Sequence, residues 1–489
     1  MESRMTTPKP LLSLIDTLED VQIHGEATCL IHGLASHSSD VKKGFLFFVK
    51  KGSKVDAKDH LEEALRKGAK ALVLDTPLPL PLTQIIHPDP GALEGPIASA
   101  FYDHPSKHLN LIGITGTNGK TTTAFWTKHL LSKLQGITGF IGTLYHDTGT
   151  SIRKTVYTTP FGIETQNLLH KMRQNGCQSA VMEVSSHALD QNRTKGLTFS
   201  HGVFTNLSQD HLDYHRTMEA YFNAKKELFT ALSPSAHAIL NQDSPYYSKL
   251  LTATKARITT YSQKEKADLA ASILAQSLRG MEVTLNQTPT FIPVIGTYNL
   301  SNLIAAIATC MTLGFPLSSI VSHLKSLPSP KGRLERIPNQ KEIHCFVDYA
   351  HTEDGLHCLL STLRELKLRK LVVVFGAGGD RDAKKRPFMG AAAEKWADHS
   401  ILTSDNPRGE SPEKIIQEIA GGYKNPSHYT IEVDRENAIK MALTQAKKGD
   451  IVVIAGKGHE TTQTIKNQTI PFDDRIITQN ILESTLQLK

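Results

Sequence analysis

The sequence has few cysteines and no long hydrophobic run. Its five cysteines are scattered, odd in number and never spaced as CxxC, which favours reduced thiols over disulfides or a zinc site. No run approaches the roughly 18 apolar residues that a membrane helix needs. The first twenty residues are partly acidic and lack the apolar core of a signal peptide. We therefore expect a cytoplasmic protein that does not interact with membranes.

Long runs of lysine and arginine are also missing, as are basic stretches interleaved with aromatic residues. Nucleic-acid binding is therefore not indicated. The formal charge of +7 and the 22 histidines are compatible with small anionic substrates. We expect such small molecules to be the partners of a monomeric protein.

The length of 489 residues, with 39% hydrophobic and 21% charged residues, is typical of a soluble protein with several domains. Apolar strand-like runs alternate with helical patterns, and Pro-rich stretches interrupt them near residues 76–90 and 326–337. This pattern predicts an α/β fold with three domains: a small N-terminal α/β domain (1–107), a central P-loop-type parallel sheet with flanking helices (108–330) and a C-terminal Rossmann-like domain (331–489).

The stretch LIGITGTNGKTTT (111–123) indicates a phosphate-binding loop. An apolar strand leads into a glycine-rich turn, and a helix whose N-terminal dipole favours an anion follows. Lys120 is expected to reach the terminal phosphates, and the hydroxyl of Thr121 to bind Mg²⁺. The general P-loop pattern is not fully met, because Ile114 stands where the first glycine is required.

The motif TGTNGKTT resembles the shortened P-loop of the Mur ligase family. The members of this family are ATP-dependent amide-forming enzymes of peptidoglycan precursor synthesis. Further similarities extend over most of the chain. The resemblance implies that ATP is a substrate and that two Mg²⁺ ions are cofactors. It also implies that His351 faces the nucleotide. The residues that it assigns to ATP are Gly116, Thr117, Asn118, Gly119, Lys120, Thr121, Thr122, Asn299, Asn302, Arg333 and Asp348.

The resemblance implies four catalytic residues, Lys120, Glu183, His211 and Lys225, and four metal ligands, Thr121, Glu183, His211 and Lys225. Lys225 would act as N6-carboxylysine, because a carbamate derived from CO₂ converts an ammonium that magnesium would repel into a hard oxygen ligand. From the local sequence alone, a glutamate at a strand end, such as Glu183, is more often a solvated or capping residue. Lys225 could be a surface lysine of a helix, like its neighbour Lys226.

Two groups of substrate-binding residues follow from the same resemblance. The first is expected to bind a uridine-linked muramoyl dipeptide and consists of Ser38, Thr158, Thr159, Ser185, Gln191 and Arg193. The second is expected to bind the incoming amino acid and consists of Arg381, Asp405, Asn406, Pro407, Arg408, Gly456 and Glu460. The tetrapeptide at 405–408, DNPR, goes with meso-diaminopimelate in this family, and an arginine fork suits the second carboxylate that distinguishes this substrate from lysine.

The resemblance thus implies a ligase that adds meso-2,6-diaminopimelate to the D-glutamyl γ-carboxylate of UDP-N-acetylmuramoyl-L-alanyl-D-glutamate through an acyl phosphate. Two alternatives stay open. One is a lysine-adding or folylpolyglutamate-type ligase of the same superfamily. The other is a binding module in which ATP only drives domain closure, and such a module would have no use for Arg408.

Overall fold

Three large sheets, besides two of only two strands each, organise the chain in the computed structural model, which describes residues 7–50, 60–366 and 369–484. The three large sheets contain five, eleven and six strands, and one of them lies within each of the three predicted segments. The predicted α/β class is confirmed, whereas the domain limits at 107/108 and 330/331 stay predictions. No helix of the described residues is long and apolar enough to cross a membrane.

The N-terminal segment forms a five-stranded sheet of order β2-β7-β6-β5-β4, in which only β2 is antiparallel to its neighbour. The runs at 44–49 and 70–75 form β5 and β6, as their apolar character predicts. The elements are β1 (Lys9–Pro10), α1 (Leu12–Ile15), β2 (Gln22–His24), β3 (Leu30–Ile31), β4 (Gly33–Ala35), β5 (Phe45–Phe48), α2 (Leu61–Arg66), β6 (Ala71–Leu74), β7 (Thr83–Ile86) and α3 (Pro90–Phe101).

The central segment forms the eleven-stranded sheet, and its elements are β8 (Asn110–Thr115), α4 (Lys120–Leu134), β9 (Thr138–Ile141), β10 (His146–Asp147), β11 (Ile152–Arg153), α5 (Gly162–Gln174), β12 (Ser179–Glu183), α6 (Ser186–Asp190), β13 (His201–Phe204), α7 (Leu212–His215), α8 (Met218–Thr230), β14 (His237–Asn241), α9 (Tyr247–Leu251), β15 (Arg257–Ser262), β16 (Leu269–Ser277), β17 (Gly280–Leu285), β18 (Thr288–Ile292), α10 (Thr297–Thr312) and α11 (Leu317–Ser322).

Strand β8 occupies the middle of this sheet, between β12 and β13, and pairs with both in parallel. Apart from Asn110 at the start of β8, all residues of these three strands are buried, as expected for parallel strands that are covered on both faces of the sheet. Because parallel strands present their carboxyl ends at the same edge, the loop after β8, the end of β12 and the loop after β13 lie side by side. This edge therefore brings the P-loop sequence together with Glu183 and the segment that contains His211.

The C-terminal segment forms the six-stranded sheet of order β19-β20-β24-β21-β22-β23, in which only β19 is antiparallel. All five cysteines of the chain are free thiols. The elements are β19 (Glu335–Ile337), β20 (His344–Asp348), α12 (Glu353–Glu365), β21 (Leu371–Phe375), α13 (Arg386–Trp396), β22 (His399–Leu402), α14 (Pro412–Ala420), β23 (Tyr429–Ile431), α15 (Arg435–Gln445), β24 (Ile451–Ala455), β25 (Thr462–Ile465), β26 (Gln468–Pro471) and α16 (Asp474–Ser484).

Candidate active site

Two glycines of the P-loop occupy positions that admit no side chain. Gly119 precedes α4 with a φ of +83°, and a β-carbon there would lie 2.1 Å from Oδ1 of Asn302. Gly116 has a φ of +151°, and its β-carbon would lie 1.9 Å from the hydroxyl oxygen of Thr205. The shortened loop therefore closes tightly against α10 and β13, and this packing places the predicted nucleotide residue Asn302 directly beside the loop.

Replacing Gly119 with alanine should weaken ATP binding about tenfold or more. The new methyl group would displace the buried amide of Asn302, and the left-handed backbone would add about 1–2 kcal/mol of strain. Gly136→Ala is the matched control, since Gly136 also has a positive φ, +95°, but has open space around it. Titration calorimetry with a non-hydrolysable ATP analogue measures both variants. Equal affinities for the two variants would show that the contact with Asn302 is irrelevant to the nucleotide.

Two lysines from different elements meet at one carbonyl of this loop. Lys120 donates from Nζ to the carbonyl oxygens of Gly116 and Thr117, at 2.8 Å each. Lys225, on α8, donates from Nζ to the same Gly116 oxygen at 2.9 Å, and only 1% of Lys225 is exposed. Burial lowers the pKa of Lys225 well below its usual value, and the neighbouring Lys120 lowers it further. Lys225 is thus a buried amine at the P-loop rather than a surface lysine.

Glu183 forms the acidic side of the site and is completely buried. Its Oε2 accepts a hydrogen bond from the hydroxyl of Thr121 at 2.7 Å and another from the hydroxyl of Thr143 at 3.2 Å. Its Oε1 accepts from the backbone N–H of Thr143 at 2.8 Å. Thr143 was not predicted from the sequence, where no motif marks it.

This donor set is compatible with magnesium. Mg²⁺ prefers hard oxygen ligands, and it is commonly held by one or two carboxylates together with substrate phosphates and water. Thr121 and Glu183 provide such oxygens beside the P-loop. No group of three or more His, Cys, Asp or Glu side chains suited to a metal occurs within the described ranges. A metal here would therefore need oxygens from the substrate, or from a modified lysine, in addition to the protein's own.

His211 lies in the loop after β13 with a φ of +55°. Its Nε2 is 3.5 Å from Oδ2 of Asp210, so its closest acidic partner is Asp210 and not Glu183. Burial lowers the pKa of His211 to about 4, against the effect of Asp210, and the charges of Lys120 and Lys225 contribute to the lowering. A neutral imidazole is the form that binds metals. Asp210 was not predicted from the sequence, although it directly precedes His211 in the stretch DHLD (210–213).

Five of the six residues predicted for the uridine-linked substrate form one connected cluster. The hydroxyl of Thr158 lies 3.0 Å from that of Thr143, and Thr159 donates to the backbone oxygen of Glu183 at 2.8 Å. The remaining three contacts join Ser185 to Thr159, Arg193 to the carbonyl of Thr159, and Arg193 to Gln191. The cluster therefore adjoins the acidic side of the P-loop site.

Ser38 is not part of that cluster. Its hydroxyl donates to Oε2 of Glu63 on α2 at 2.5 Å, and its carbonyl accepts from Lys67 at 3.1 Å. These contacts lie within the N-terminal segment and not at the P-loop, and the role predicted for Ser38 stays a prediction.

The C-terminal segment reaches the P-loop at two points. Arg333 donates from Nη2 to the hydroxyl of Thr121 at 3.3 Å. On α12, Oδ2 of Asp354 accepts from Asn118 Nδ2 and from the hydroxyl of Ser208, both at 2.9 Å. Asp354 was not predicted, because nothing in its local sequence distinguishes it from a residue of an ordinary helical first turn. Both contacts hold the third sheet against the nucleotide-binding loop.

Other residues predicted for ATP have contacts close by. Asp348 accepts from the backbone N–H of Leu334 at 2.6 Å, and burial raises its pKa. Asn299 is buried and donates to the carbonyl of Ile295 at 3.0 Å. His351 contacts the carbonyl of Tyr349 through Nδ1 at 2.8 Å. These contacts define local structure, and the assignment of the residues to ATP stays a prediction.

The predicted amino-acid pocket assembles at the carboxyl ends of β22 and β24. Asn406 donates from Nδ2 to Oε2 of Glu460 at 2.8 Å. A β-carbon at Gly456 would lie 2.6 Å from Oδ2 of Asp405, so these two motifs are in direct contact. Lys457, which is completely buried, donates to Oδ1 of Asn406 at 3.3 Å and to Oε2 of Glu460 at 3.2 Å. Lys457 was not predicted, although it stands inside the same GKGHE stretch.

The two predicted arginines flank Gly378 in the loop after β21. Measured from a β-carbon built at Gly378, Nη1 of Arg408 lies at 2.9 Å and Cγ of Arg381 at 3.8 Å. Arg381 is exposed, whereas Arg408 is half-buried and donates from Nη1 to the carbonyl of Gly379 at 2.7 Å. The carbonyl of Pro407 packs against Gly379: a β-carbon built at Gly379 would lie 1.9 Å from the Pro407 oxygen.

A continuous series of contacts joins the phosphate-binding loop to this pocket. Arg333 donates a hydrogen bond to Thr121 on one side. On the other side its guanidinium carbon lies 4.2 Å from the centre of the Tyr349 ring. The ring of Tyr349 lies 5.1 Å from that of His459, the neighbour of Glu460. These contacts connect the P-loop of the central segment with the predicted amino-acid pocket of the C-terminal segment.

Comparison with known proteins identifies the family. Residues 114–310 match the Mur ligase middle domain, and residues 332–458 match the Mur ligase glutamate ligase domain. The UDP-N-acetylmuramoyl-L-alanyl-D-glutamate--2,6-diaminopimelate ligase of Geobacillus kaustophilus is 40% identical over 479 residues, covering 96% of this chain and 98% of its own. The enzyme of the same name from Gloeobacter violaceus is 43% identical over 455 residues, covering 91% and 92%.

A solved structure of a ligase with that name is similar over the whole chain. It covers 98% of this chain and 100% of its own, with a TM-score of 0.69 and 33% sequence identity. The predicted family is thereby confirmed: this chain belongs to the Mur ligase family.

Proposed function

We propose that this protein is the ligase that adds meso-2,6-diaminopimelate to the D-glutamyl γ-carboxylate of UDP-N-acetylmuramoyl-L-alanyl-D-glutamate, with hydrolysis of ATP to ADP and phosphate. The observation that carries the proposal is the series of contacts that joins the P-loop, where Lys120 and Lys225 meet, to the C-terminal segment that contains Arg408, Asn406 and Glu460. Relatives about 40% identical over nearly the whole chain carry the name of this enzyme.

The reaction needs an activated carboxylate, because a free carboxylate is too poor an electrophile for an amine. In the first step the γ-phosphoryl group of ATP passes to an oxygen of the substrate carboxylate, and ADP leaves. The amine of diaminopimelate then attacks the acyl phosphate, loses a proton and expels phosphate, which leaves an amide. No protein nucleophile takes part in this sequence. Catalysis then depends on positioning and on charge compensation, as is typical of phosphoryl transfer.

Lys120 and Arg333 supply positive charge at the position where the transferred phosphoryl group would lie. Two magnesium ions, when bound, would supply further charge compensation. Thr121 and Glu183 would hold one of them, while His211 and a carbamate on Lys225 would hold the other. The low pKa of Lys225 supports this modification, since CO₂ reacts only with a neutral amine. In this assignment the domain at 1–107 would bind the UDP part of the substrate. The domain at 108–330 would bind ATP, and the domain at 331–489 would bind the amino acid.

Beside Gly378 in the C-terminal segment, Arg408 and Arg381 would bind the distal carboxylate of diaminopimelate. Glu460, held by Asn406 and Lys457, would accept a hydrogen bond from its ammonium group. A lysine substrate has no distal carboxylate, so it would leave the arginine charges without a partner.

A phosphate-release assay with ATP and the UDP-linked muramoyl dipeptide tests this function, with meso-diaminopimelate, lysine or no amino acid as acceptor. We expect rapid release with diaminopimelate and at least about 10²-fold less with lysine. Release with lysine but not diaminopimelate would overturn the specificity. ATP binding without substrate-dependent release would indicate the nucleotide-gated module, and turnover only with a folate substrate would indicate the folylpolyglutamate-type ligase.

A further inference from the structure

A buried carboxylate joins the N-terminal segment to the central segment. Glu94 lies on α3 and is only 3% exposed. Its Oε2 accepts a hydrogen bond from the hydroxyl of Ser36 at 3.0 Å and forms an ion pair with Lys50, both within the N-terminal segment. Its Oε1 accepts from the backbone N–H of Ile163, in the first turn of α5, at 3.1 Å. One side chain thus contacts both segments, and neither contact belongs to a motif described above.

The backbones beside Glu94 are packed too closely to admit side chains at three glycines. A β-carbon at the next residue, Gly95, would lie 2.0 Å from the carbonyl oxygen of Lys195. A β-carbon at Gly162 would lie 2.7 Å from Cα of Gly95, and one at Gly196 would lie 2.6 Å from the carbonyl carbon of Gly95. Three glycines from remote parts of the chain therefore form a contact without side chains, and the Glu94 carboxylate is fixed beside it.

The contact with Ile163 has a clear physical basis. The first N–H groups of a helix have no partner within the helix, and its N-terminal end attracts negative charge. The residue before α5, Phe161, provides no side-chain cap. Glu94 supplies the missing acceptor from another segment, so α5 of the central segment is capped by the N-terminal segment.

The capped helix begins directly after the predicted substrate threonines. Lys50, the ion-pair partner of Glu94, lies 4.9 Å from the centre of the Phe161 ring. Arg193 lies 4.1 Å from the same ring and donates to the carbonyl of Thr159 at 2.9 Å. Through Lys50 and Ile163, Glu94 thus fixes the segment that follows Thr158 and Thr159.

We propose that Glu94 is a positioning residue for the uridine-linked substrate. It holds the N-terminal segment, which would bind the nucleotide end, at a fixed distance from the threonines that would bind the peptide end. The γ-carboxylate of a substrate anchored at both ends then lies at the P-loop in one orientation. Glu94 does not itself touch the substrate, because both of its oxygens are occupied by protein donors. This inference rests on the proposed function.

Three variants test it: Glu94→Gln, Glu94→Ala and, as matched control, Glu19→Gln, which neutralises an exposed carboxylate of the same segment. Glu94→Gln keeps an acceptor for Ile163 but removes the charge that pairs with Lys50. We expect its KM for the UDP-linked dipeptide to rise about tenfold, because a charge-assisted contact is lost. The increase should be larger for Glu94→Ala. The KM for ATP and kcat at saturating dipeptide should change by less than about twofold, with Glu19→Gln resembling the wild type.

Binding of the UDP-linked dipeptide, measured by calorimetry without ATP, should weaken in parallel with the rise in KM. A fall in Tm with an unchanged KM would show that Glu94 is merely structural and would overturn the inference. If neither Glu94 variant folds, Ser36→Ala decides: it removes one contact of Glu94, and an unchanged dipeptide affinity would contradict the proposal. The turnover of the wild type tests the proposed function separately. If the wild type is active and Glu94→Gln has an unchanged KM for the dipeptide, only the inference about Glu94 is contradicted.

Discussion

Replacing Lys225 with alanine is expected to lower kcat by about 10²- to 10³-fold while the protein stays folded. In the structure its amine is buried at the P-loop and shares the Gly116 carbonyl with Lys120. A carbamate at this position would place an anionic oxygen ligand beside the phosphates, and alanine cannot replace it. The fold should survive because Lys120 continues to donate to Gly116. Steady-state turnover and the circular dichroism spectrum of the purified variant measure the two effects.

The neighbouring lysine provides the matched control. Lys226 lies on the same helix but is partly exposed, and Lys226→Ala should retain wild-type turnover. Equal activities of Lys225→Ala and the wild type would remove the carbamate from the mechanism. A ¹³C NMR spectrum recorded with labelled bicarbonate should contain a carbamate signal in the wild type and in Lys226→Ala but not in Lys225→Ala.

The pH dependence of this signal has a defined sign. Burial and the charge of Lys120 lower the pKa of Lys225, so a larger fraction of its amine is neutral near pH 7 than for an exposed lysine. Falling pH protonates the amine and removes the form that reacts with CO₂. The carbamate signal should therefore decrease as the pH falls, and added bicarbonate should partly restore turnover. A signal that increases towards acidic pH would contradict this account.

Much of the fold follows directly from sequence patterns. The runs at 111–115, 179–184 and 201–206 form β8, β12 and β13, and each contributes buried apolar residues, such as Ile112, Val181 and Val203, because parallel strands are covered on both faces. The glycine-rich turn after β8 and the helix that follows are equally apparent. The edge strand β11 and its neighbour β10 were less predictable, because each has only two residues, too few for any periodicity to appear.

The details of the site depend on tertiary contacts that no local pattern reveals. Lys225 and Lys226 are indistinguishable in sequence, and only the packing of α8 determines which of them is buried. Glu94 bonds Ile163, which is 69 positions away along the chain, and Asp354 bonds Asn118, which is 236 positions away. Lys457 could have been suspected from its motif, because a lysine between two glycines of a strand-end loop is well placed to contact a ligand pocket. The complete burial of Lys457, in contrast, could not be predicted from the sequence.

The second large effect concerns the choice of amino acid. Replacing Arg408 with methionine is expected to lower kcat/KM for meso-diaminopimelate by about 10²- to 10³-fold, since the charge-assisted pair proposed between this arginine and a substrate carboxylate is lost. The activity with lysine, which has no carboxylate to offer, should change by less than about tenfold. The backbone should hold its position, because Arg408 N–H donates to Thr464 at 3.1 Å and its carbonyl accepts from Lys466.

Two further variants separate charge from geometry in this pocket. Arg408→Lys keeps the positive charge but loses the planar fork, so its loss with diaminopimelate should lie between those of the wild type and Arg408→Met. Arg369→Met, which removes an exposed arginine of the same segment, should behave like the wild type. The decisive quantity is the ratio of kcat/KM for diaminopimelate to that for lysine. If Arg408→Met lowers both values by the same factor, Arg408 supports the pocket without selecting its ligand, and the preference for diaminopimelate must arise from other residues.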